Sequence, residues 1–456
     1  MKINNNIQAL NAYRNLNQNQ VQTSKNLEKL SSGLRINRAA DDAAGLAISE
    51  KMRSQIRGLK MAERNAMDGI SLLQTAEGAL TEVHAMLQRM RELAVQGAND
   101  SNTDYDREQI QKEIDQLKKE IDSISQKTEF NTRKLLDGTS AVISHLQVNE
   151  ANVATGFPNV QNAEFPSGDY LLNVTQAQLN STLNQPGAGF TADAVSFTDG
   201  TQSKLGQYTF VVSNVTTVDD VRSAKIEVFD PDGFSLGTKT TDLAENTEVV
   251  IGGVRIDTEN LTEGTAKISL EANVQVQLSR VAEGSPDPIS TTSNITTTKG
   301  RIVHEGIEYQ FGSNVSTGNV EFSITNNSLS FQIGANTNQN VMIDIPAMDS
   351  QKLGVDKVRV TTLSSANDAI YQLDQAINAV SDARAKLGAI QNRMEHTINN
   401  LQVTHENLTA AESRIRDADM ALEMTIFTRN NILNQSATAM LAQANQLPQG
   451  VLQLLQ

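Results

Sequence analysis

The sequence contains no cysteine and no tryptophan, and only 4% of its 456 residues are aromatic. The absence of cysteine excludes disulfide scaffolds, cysteine-zinc sites and thiol nucleophiles. Because few rings are available, the cores must be built mainly from aliphatic residues and alanine, which favours long helices and β-branched strands. A chain of this length is expected to form more than one domain.

Positive charge and long apolar runs are also scarce. The formal net charge is −15, whereas a nucleic-acid-binding protein needs a basic surface to neutralise phosphates. Residues 1–20 lack the basic and apolar regions of a Sec signal peptide, and no stretch approaches the roughly 18 apolar residues that span a bilayer. We therefore expect no nucleic-acid partner, no membrane insertion, and either a cytoplasmic location or export without a cleaved signal.

Three zones of different composition follow one another along the chain. Residues 1–130 are rich in Ala, Leu, Gln, Asn, Arg and Glu, and residues 363–456 return to this composition. Between them, residues 140–350 are rich in Thr, Ser, Val, Asn and Gly. The predicted fold class is α+β multidomain: N- and C-terminal helices pair as a coiled-coil or helical-bundle core, with inserted, mostly antiparallel β outer domains.

Helical periodicity is strongest near the C-terminus. Apolar or small residues recur at steps of three and four from Ala366 to Leu422, which is the heptad pattern of a helix with one apolar seam. The phase slips by one residue after Leu422 and resumes at Ile426. Such a slip predicts local unwinding at a junction between two helical layers.

The N-terminal zone predicts three helices. The first weakens at residues 31–33 (Ser-Ser-Gly), and Asp41 and Asp42 offer a new N-cap for the second. Residues 97–100 (Gly-Ala-Asn-Asp) end the second helix, and apolar spacing over residues 110–124 predicts the third.

In the middle zone the sequence pattern changes from that of helices to that of strands. Its strand-like segments are β-branched, often alternating, and separated by turn residues. They span residues 170–179, 208–215, 224–230, 248–257, 266–278, 307–312, 320–327 and 341–345. Asp-Pro-Asp-Gly at residues 230–233 is a strong turn signal, and Gly252 with Gly253 indicates a hairpin. One or two mostly antiparallel β domains are predicted.

Both ends of the chain are poor in charge. Residues 431–456 contain no charged residue and residues 3–24 contain only Arg14, although a solvated helix carries Glu and Lys on its outer face. We expect copies of the same chain to cover these faces, and contacts between different patches of identical subunits generate helical filaments. The predicted filament-core seam comprises Ile3, Ile7, Leu10, Ile426, Leu433, Met440, Leu447, Val451 and Leu454. The ends are then expected to be disordered in the monomer; the alternative is an ordinary bundle with frayed ends.

Several segments identify a family. LEKLSSGLRINRAADDAAGLAISEKMRSQIRGL (residues 27–59) closely resembles the N-terminal signature of bacterial flagellins, and LTAAESRIRDADMALEM (residues 408–424) resembles their C-terminal signature. Further matching segments span residues 65–80, 87–100, 129–138, 331–336 and 436–455. The resemblance covers residues 1–138 and 363–456 in order. The amino-acid sequence of these segments most resembles flagellins of Gram-positive bacteria of the Bacillus type.

The resemblance implies a structural subunit that polymerises into the extracellular flagellar filament for swimming. It implies unfolded export through the flagellar type III system, no cleaved signal peptide, and assembly at the distal tip. The implied partners are further copies of the chain, the flagellar cap, hook-associated proteins and a cytoplasmic export chaperone at the C-terminal helix. The implied domains are residues 1–44 with 417–456 as the terminal coiled-coil core, 45–140 with 350–416 as a helical bundle with a short β part, and 141–349 as surface-exposed variable β structure.

The resemblance also implies a patch that host innate immune receptors recognise in many flagellins. The matching residues here are Gln88, Arg89, Leu93 and Glu113. Because residues four apart on a helix are neighbours that usually serve packing, assembly is the expected first role of Arg89 and Leu93. Receptor binding would then belong to the monomer.

The sequence does not predict an enzyme, a metal or a cofactor. A zinc protease needs two His one turn apart with Glu between them, and neither His304-Glu305 nor His405-Glu406 is followed by the second His. No GxSxG motif occurs. The pairs Asp219–Asp220 and Asp230–Asp232 are interpreted as turn residues. Alternative functions are a hook–filament junction protein, an adhesin that uses the β domains, and an enzyme within residues 140–350.

Overall fold

A computed structural model describes residues 6–149, 153–191, 194–197, 203–218, 221–243, 248–258, 261–282 and 285–453. Five helices lie in these ranges: α1 (Ile7–Ser32), α2 (Ala43–Gly97), α3 (Asp104–Lys127), α4 (Leu363–Arg416) and α5 (Met420–Gln453). The first strands are β1 (Glu129–Phe130), β2 (Arg133–Lys134), β3 (Val142–Asn149), β4 (Asn159–Val160), β5 (Gly168–Gln185), β6 (Val195–Phe197), β7 (Gly206–Val218), β8 (Val221–Phe229), β9 (Ser235–Asp242) and β10 (Glu248–Ile251). The remaining strands are β11 (Val254–Asp257), β12 (Gly264–Ala282), β13 (Ser285–Pro288), β14 (Ser293–Thr296), β15 (Arg301–His304), β16 (Ile307–Gln310), β17 (Gly318–Asn326), β18 (Leu329–Gln332) and β19 (Asn340–Ile343).

The predicted boundary between the first two helices is confirmed. Helix α1 ends at Ser32, and Gly33 takes a left-handed φ of 71° while its N–H donates to the Lys29 carbonyl. Glycine adopts this conformation without a Cβ clash. Helix α2 begins after Asp42, whose carboxylate accepts from the Gly45 N–H at 2.8 Å. Asp41 instead turns back to accept from the Arg38 N–H at 3.0 Å, and this bond lowers the pKa of Asp41.

The predicted position of the C-terminal junction is wrong by a few residues. Helix α4 ends at Arg416 and α5 begins at Met420, so the break precedes Leu422. Asp419 sets the new start, since its carboxylate accepts from the Ala421 and Leu422 N–H groups at 3.0 and 3.1 Å. The spacing of apolar residues does not change at this short break, so it could not show where the break lies. The capping side chain determines where the helix restarts.

The chain forms two compact units, and the first comprises Met1–Gln74, Phe331–Val341 and Leu387–Gln456. Within it α1 packs on α5, and the beginning of α2 packs on the end of α4. Leu59, Ala62 and Leu401 form a small core there. The Gln402 amide donates to Glu63 at 2.7 Å across the same helix pair.

The second unit comprises Thr75–Ser330 and Met342–Lys386. Here Arg91 on α2 pairs with Asp374 on α4 at 2.6 Å. Helix α3 begins with a capping box between Thr103 and Asp106, which satisfies donors at the helix start. Arg107 is buried, and its guanidinium donates to the Gly97 carbonyl at 3.0 Å. This bond satisfies a carbonyl at the end of α2.

The β region of the second unit is an antiparallel assembly. Its largest sheet has the strand order β3-β17-β5-β12-β7-β8-β9, and β13 and β14 also pair with β12. The pairs that form this sheet are antiparallel. Every predicted strand segment contains a strand, and Gly252 and Gly253 form the predicted hairpin turn with φ of 58° and 86°. Together with the packed helices, this confirms the predicted α+β fold class.

The described residues of the β region form two hydrophobic cores. One surrounds Tyr170, Tyr309 and Phe322, and the other surrounds Phe210 and Ile226. The strands β5 and β12 contribute to both cores because they are 18 and 19 residues long. The number of β domains and the predicted domain boundaries stay a prediction.

Candidate assembly surfaces

Helices α1 and α5 contact each other through polar side chains. We call this set the polar ladder: Thr23, Asn26, Glu423, Asn430 and Asn434. Asn26 donates to the Glu423 carboxylate at 3.0 Å, and Asn434 donates to the Thr23 hydroxyl at 2.9 Å. Asn26 and Glu423 are only 8% and 9% exposed. A buried polar set of this kind fixes which residues face each other, because other registers leave polar groups unpaired.

A lysine adds a positive charge beside the Glu423 carboxylate. The Lys29 ammonium lies 3.2 Å from the Glu423 carboxylate, so the buried carboxylate has both an amide donor and a cation. Farther along, the Asn430 amide nitrogen and the Asn434 amide oxygen are buried without hydrogen-bond partners among the described residues. Unpaired buried polar atoms cost free energy. The contact between α1 and α5 is therefore specific in register and weak in apolar burial.

Many large apolar side chains of the same two helices are exposed. We call them the terminal apolar surface: Ile7, Leu10, Tyr13, Val21, Leu27, Met420, Leu422, Met424, Ile432, Leu433 and Met440. Each exposes between 43% and 65% of its area. Contiguous exposed apolar patches on soluble proteins mark interaction sites. Few charges accompany them, since α5 carries only Glu423 and Arg429.

The predicted filament-core seam coincides in part with this surface. Ile7, Leu10, Leu433 and Met440 belong to the terminal apolar surface, while Ile426 is half-buried. Ile3 and Leu454 lie outside the described residues, as do the side chains of Leu447 and Val451. The seam's role in contacts between copies stays a prediction.

Sequence reasoning missed the polar ladder. A signal for it exists, because Thr23 and Asn26 are three apart, and Glu423, Asn430 and Asn434 lie at steps of seven and four. These are the spacings of one helix face. Apolar periodicity does not reveal this face, because its members are polar.

The two helix breaks lie side by side in the first unit. The Arg35 N–H donates to the Arg416 carbonyl at 2.7 Å, and the Ala418 N–H donates to the Gly33 carbonyl at 2.9 Å. Arg416 also reaches Glu50 at 2.6 Å, and this hydrogen bond lowers the pKa of Glu50. The contacts couple the start of α5 to the end of α1.

The resemblance-based patch lies on α2 and α3 in the second unit. The Arg89 guanidinium pairs with Glu113 at 2.9 Å and with Glu92 at 3.1 Å. The hydrogen bond to Glu113 raises the pKa of Arg89. Gln88 is exposed, and its amide lies 3.0 Å from the His84 ring. Gln88, Arg89 and Glu113 therefore form one exposed surface.

Leu93 does not share this surface. Its side chain is 2% exposed within the chain's own core, so it packs inside the folded chain rather than toward a neighbouring copy. The spacing of four residues places Leu93 on the same face as Arg89, but the Leu93 side chain is buried whereas Arg89 is exposed. The exposed patch is reduced to three residues, whose biological role stays a prediction.

Substitutions at Leu93 and Glu113 are expected to separate packing from surface roles. Leu93→Ala should lower the free energy of unfolding by about 2–5 kcal/mol, because it removes a fully buried side chain. Glu113→Gln should leave the unfolding midpoint unchanged, since an exposed ion pair contributes little to stability. Thermal unfolding followed by circular dichroism measures both. Equal midpoints for the two variants would contradict the burial of Leu93.

Catalytic and metal-binding groupings were sought in the described part of the chain. No group of three or more His, Asp or Glu lies together there as a metal site requires. Asp230 acts as a turn residue, because its carboxylate accepts from the Asp232 and Phe234 N–H groups at 3.0 and 2.8 Å. Asp219 and Asp220 lie outside the described residues. None of the described helices is long and apolar enough to cross a bilayer.

The fold and these surfaces define a class: proteins whose N- and C-terminal segments pair as helices and carry an inserted β region. The model of the bacterial flagellin N-terminal helical region matches residues 3–141, and that of the bacterial flagellin C-terminal helical region matches residues 370–455. These two ranges contain the paired helices.

Full-length relatives agree with the family models. The chain is 42% identical to a flagellin of Clostridium tyrobutyricum over 98% of this chain and 100% of the relative. It is 38% identical to a flagellin of Bacillus subtilis over the whole of both chains. A flagellin of Halalkalibacterium halodurans is 35% identical over the same full extent. The chain belongs to the flagellin family.

Proposed function

We propose that this chain is the structural subunit of a helical flagellar filament and that it polymerises without performing catalysis. Filament subunits of flagellin type are extracellular components of the flagellum, and the chain matches such relatives from end to end. The single observation that supports polymerisation is the terminal apolar surface. Apolar side chains that expose 43–65% of their area, on helices with few charges, favour burial against further subunits.

The two contact types suit different tasks in assembly. The polar ladder holds α1 and α5 in one register, and the terminal apolar surface supplies the free energy of association between copies. Repeated contacts between different patches on identical copies would extend into a filament. Swimming motility follows from the mechanical role of that filament.

Export and location form the finer part of the proposal. We propose unfolded export through the flagellar type III system, no cleaved signal peptide, and growth at the distal tip. An export chaperone would cover α5 before export, which fits the exposure of Ile432 and Leu433. The flagellar cap and hook-associated proteins would contact the growing end. A host receptor would bind the exposed surface of Gln88, Arg89 and Glu113 on the monomer.

Seeded assembly tests the proposed function. The purified chain is dissociated by heat or acid, neutralised, mixed with short seeds and examined by electron microscopy. Uniform filaments that lengthen from the seeds are expected. A chain that stays monomeric, or that forms only short caps on the seeds as a junction protein would, contradicts the proposal.

A further inference from the structure

A cleft of about 750 Å³ lies in the second unit between loops of the β region and helix α4. This volume is within the range of small-molecule binding sites. One wall consists of loops that carry Lys204, Asp232 and Lys299, and the other consists of α4 side chains that include Tyr371 and Asn378. Polymerisation through α1 and α5 does not explain these groups.

Cations dominate the charged groups of the cleft, in contrast to the net negative charge of the chain. The lining contains Lys204, Lys299 and Arg301, against the single carboxylate of Asp232. Lys204 forms an ion pair with Asp232, and Arg301 pairs with Glu308 at 3.2 Å. Among the described residues, the Lys299 ammonium has no ion-pair partner. It is therefore available to an anionic group of a ligand.

The turn that presents Lys299 is held in a strained conformation. Lys299 has a φ of 53°, which is unfavourable for a residue with a Cβ. The Glu271 carboxylate holds it there by accepting from the Lys299 N–H at 2.7 Å and the Gly300 N–H at 3.1 Å. Gly300 also has a positive φ, of 73°, and Thr298 and Arg301 exchange backbone hydrogen bonds on either side, so the two residues form a tight hairpin turn that fixes where Lys299 is presented.

The α4 wall supplies neutral polar groups. Tyr371, Gln375 and Asn378 lie at steps of four and three, so they share one helix face. Burial raises the pKa of Tyr371, and the neighbouring Asp232 carboxylate raises it further, so the phenol stays protonated at neutral pH. The Phe234 ring meets the Tyr371 ring edge-on at a centroid distance of 4.8 Å, which fixes the ring. Across the cleft, the Gln310 side chain adds a third exposed amide.

We propose that this cleft binds an acidic saccharide, a sugar chain that carries carboxylates. The Lys299 ammonium would pair with a sugar carboxylate, and the amides and hydroxyls would bond the sugar hydroxyls, which both donate and accept. An inorganic anion would pair with the Lys299 ammonium but would leave the amide groups on both walls without a partner from the ligand. A neutral sugar would leave the Lys299 ammonium without a counter-charge.

Titration calorimetry of the soluble full-length chain tests this site with digalacturonate as the probe. Digalactose is the matched neutral probe, and inorganic phosphate is the matched simple anion. Saturable binding of digalacturonate is expected, with affinity at least about tenfold above that for either control, a ratio that corresponds to the loss of one good polar contact. No binding of digalacturonate, or equal binding of digalactose or phosphate, would overturn the proposal.

Variants locate the site. Lys299→Gly removes the ammonium and also relieves the left-handed backbone, so this variant is expected to fold while its affinity for digalacturonate falls about tenfold or more. Asn378→Ala should weaken binding without changing charge. Lys239→Gln is the matched control, because Lys239 is an exposed lysine of β9 outside the cleft. Unchanged affinity in both Lys299→Gly and Asn378→Ala, or an equal loss in Lys239→Gln, would contradict this location.

Discussion

A chain that ends at Asn430 is expected to form no filaments while its β region stays folded. The truncation removes most of α5, including Ile432, Leu433 and Met440, and it deprives α1 of its partner over the first turns. The cores of the β region lie in the second unit and share no residue with the removed segment. Seeded growth should disappear, and the β signal in circular dichroism should keep its amplitude and unfolding midpoint.

A variant with two substitutions tests the same prediction without shortening the chain. Leu433→Gln combined with Met440→Gln removes two members of the terminal apolar surface but leaves the polar ladder intact. Full burial of such side chains contributes about 1.5–3 kcal/mol each, and about half of each is already covered within the chain. The critical concentration for growth should therefore rise roughly tenfold to hundredfold. Val303→Gln, at an exposed apolar position of β15, is the matched control and should grow normally.

Phe322→Ala is expected to destabilise the β region without preventing filament growth. The ring is fully buried and lies 5.9 Å from the Tyr170 and Tyr309 rings. Its removal should destabilise the β region by about 3–5 kcal/mol, since it leaves a cavity in a packed core. Filament growth below the new unfolding midpoint should persist, because the proposed contacts between copies lie on α1 and α5.

The control for this second variant is Phe157→Ala, because Phe157 belongs to the same region but is 67% exposed. Its unfolding midpoint should match that of the unmodified chain in a calorimetric scan. If Phe322→Ala abolished seeded growth at a temperature where its β region is still folded, the separation of assembly from the β region would be wrong.

Residue patterns predicted most helix and strand positions because local chemistry determines them. The end of α1 at Gly33, the start of α2 at Asp42 and the hairpin at Gly252 depend on capping or turn preferences that one or two residues carry. Strands β1, β2, β3, β9, β15 and β18 lie outside the predicted strand segments. The short strands β4, β6, β13 and β14 were not predicted either. Each is two to four residues long and depends on pairing with a distant strand.

The partner of each helix face could not be predicted from periodicity. Leu93 and Leu433 both lie on apolar stripes, yet the first is buried in the chain and the second is 43% exposed. The folded chain itself buries Leu93, whereas α5 meets α1 through Asn and Thr side chains and leaves Leu433 exposed. A stripe shows that a face is to be buried, and tertiary contacts decide whether the same chain buries it.

The central claim is that copies of the chain bury the terminal apolar surface. Because the sequence lacks cysteine, single substitutions Leu433→Cys, Met440→Cys and Val303→Cys each introduce one thiol whose rate of reaction with a water-soluble maleimide can be measured. In the soluble chain all three should react rapidly. In seeded filaments Leu433→Cys and Met440→Cys should become protected while Val303→Cys stays reactive. Equal rates at all three positions in filaments would contradict the account.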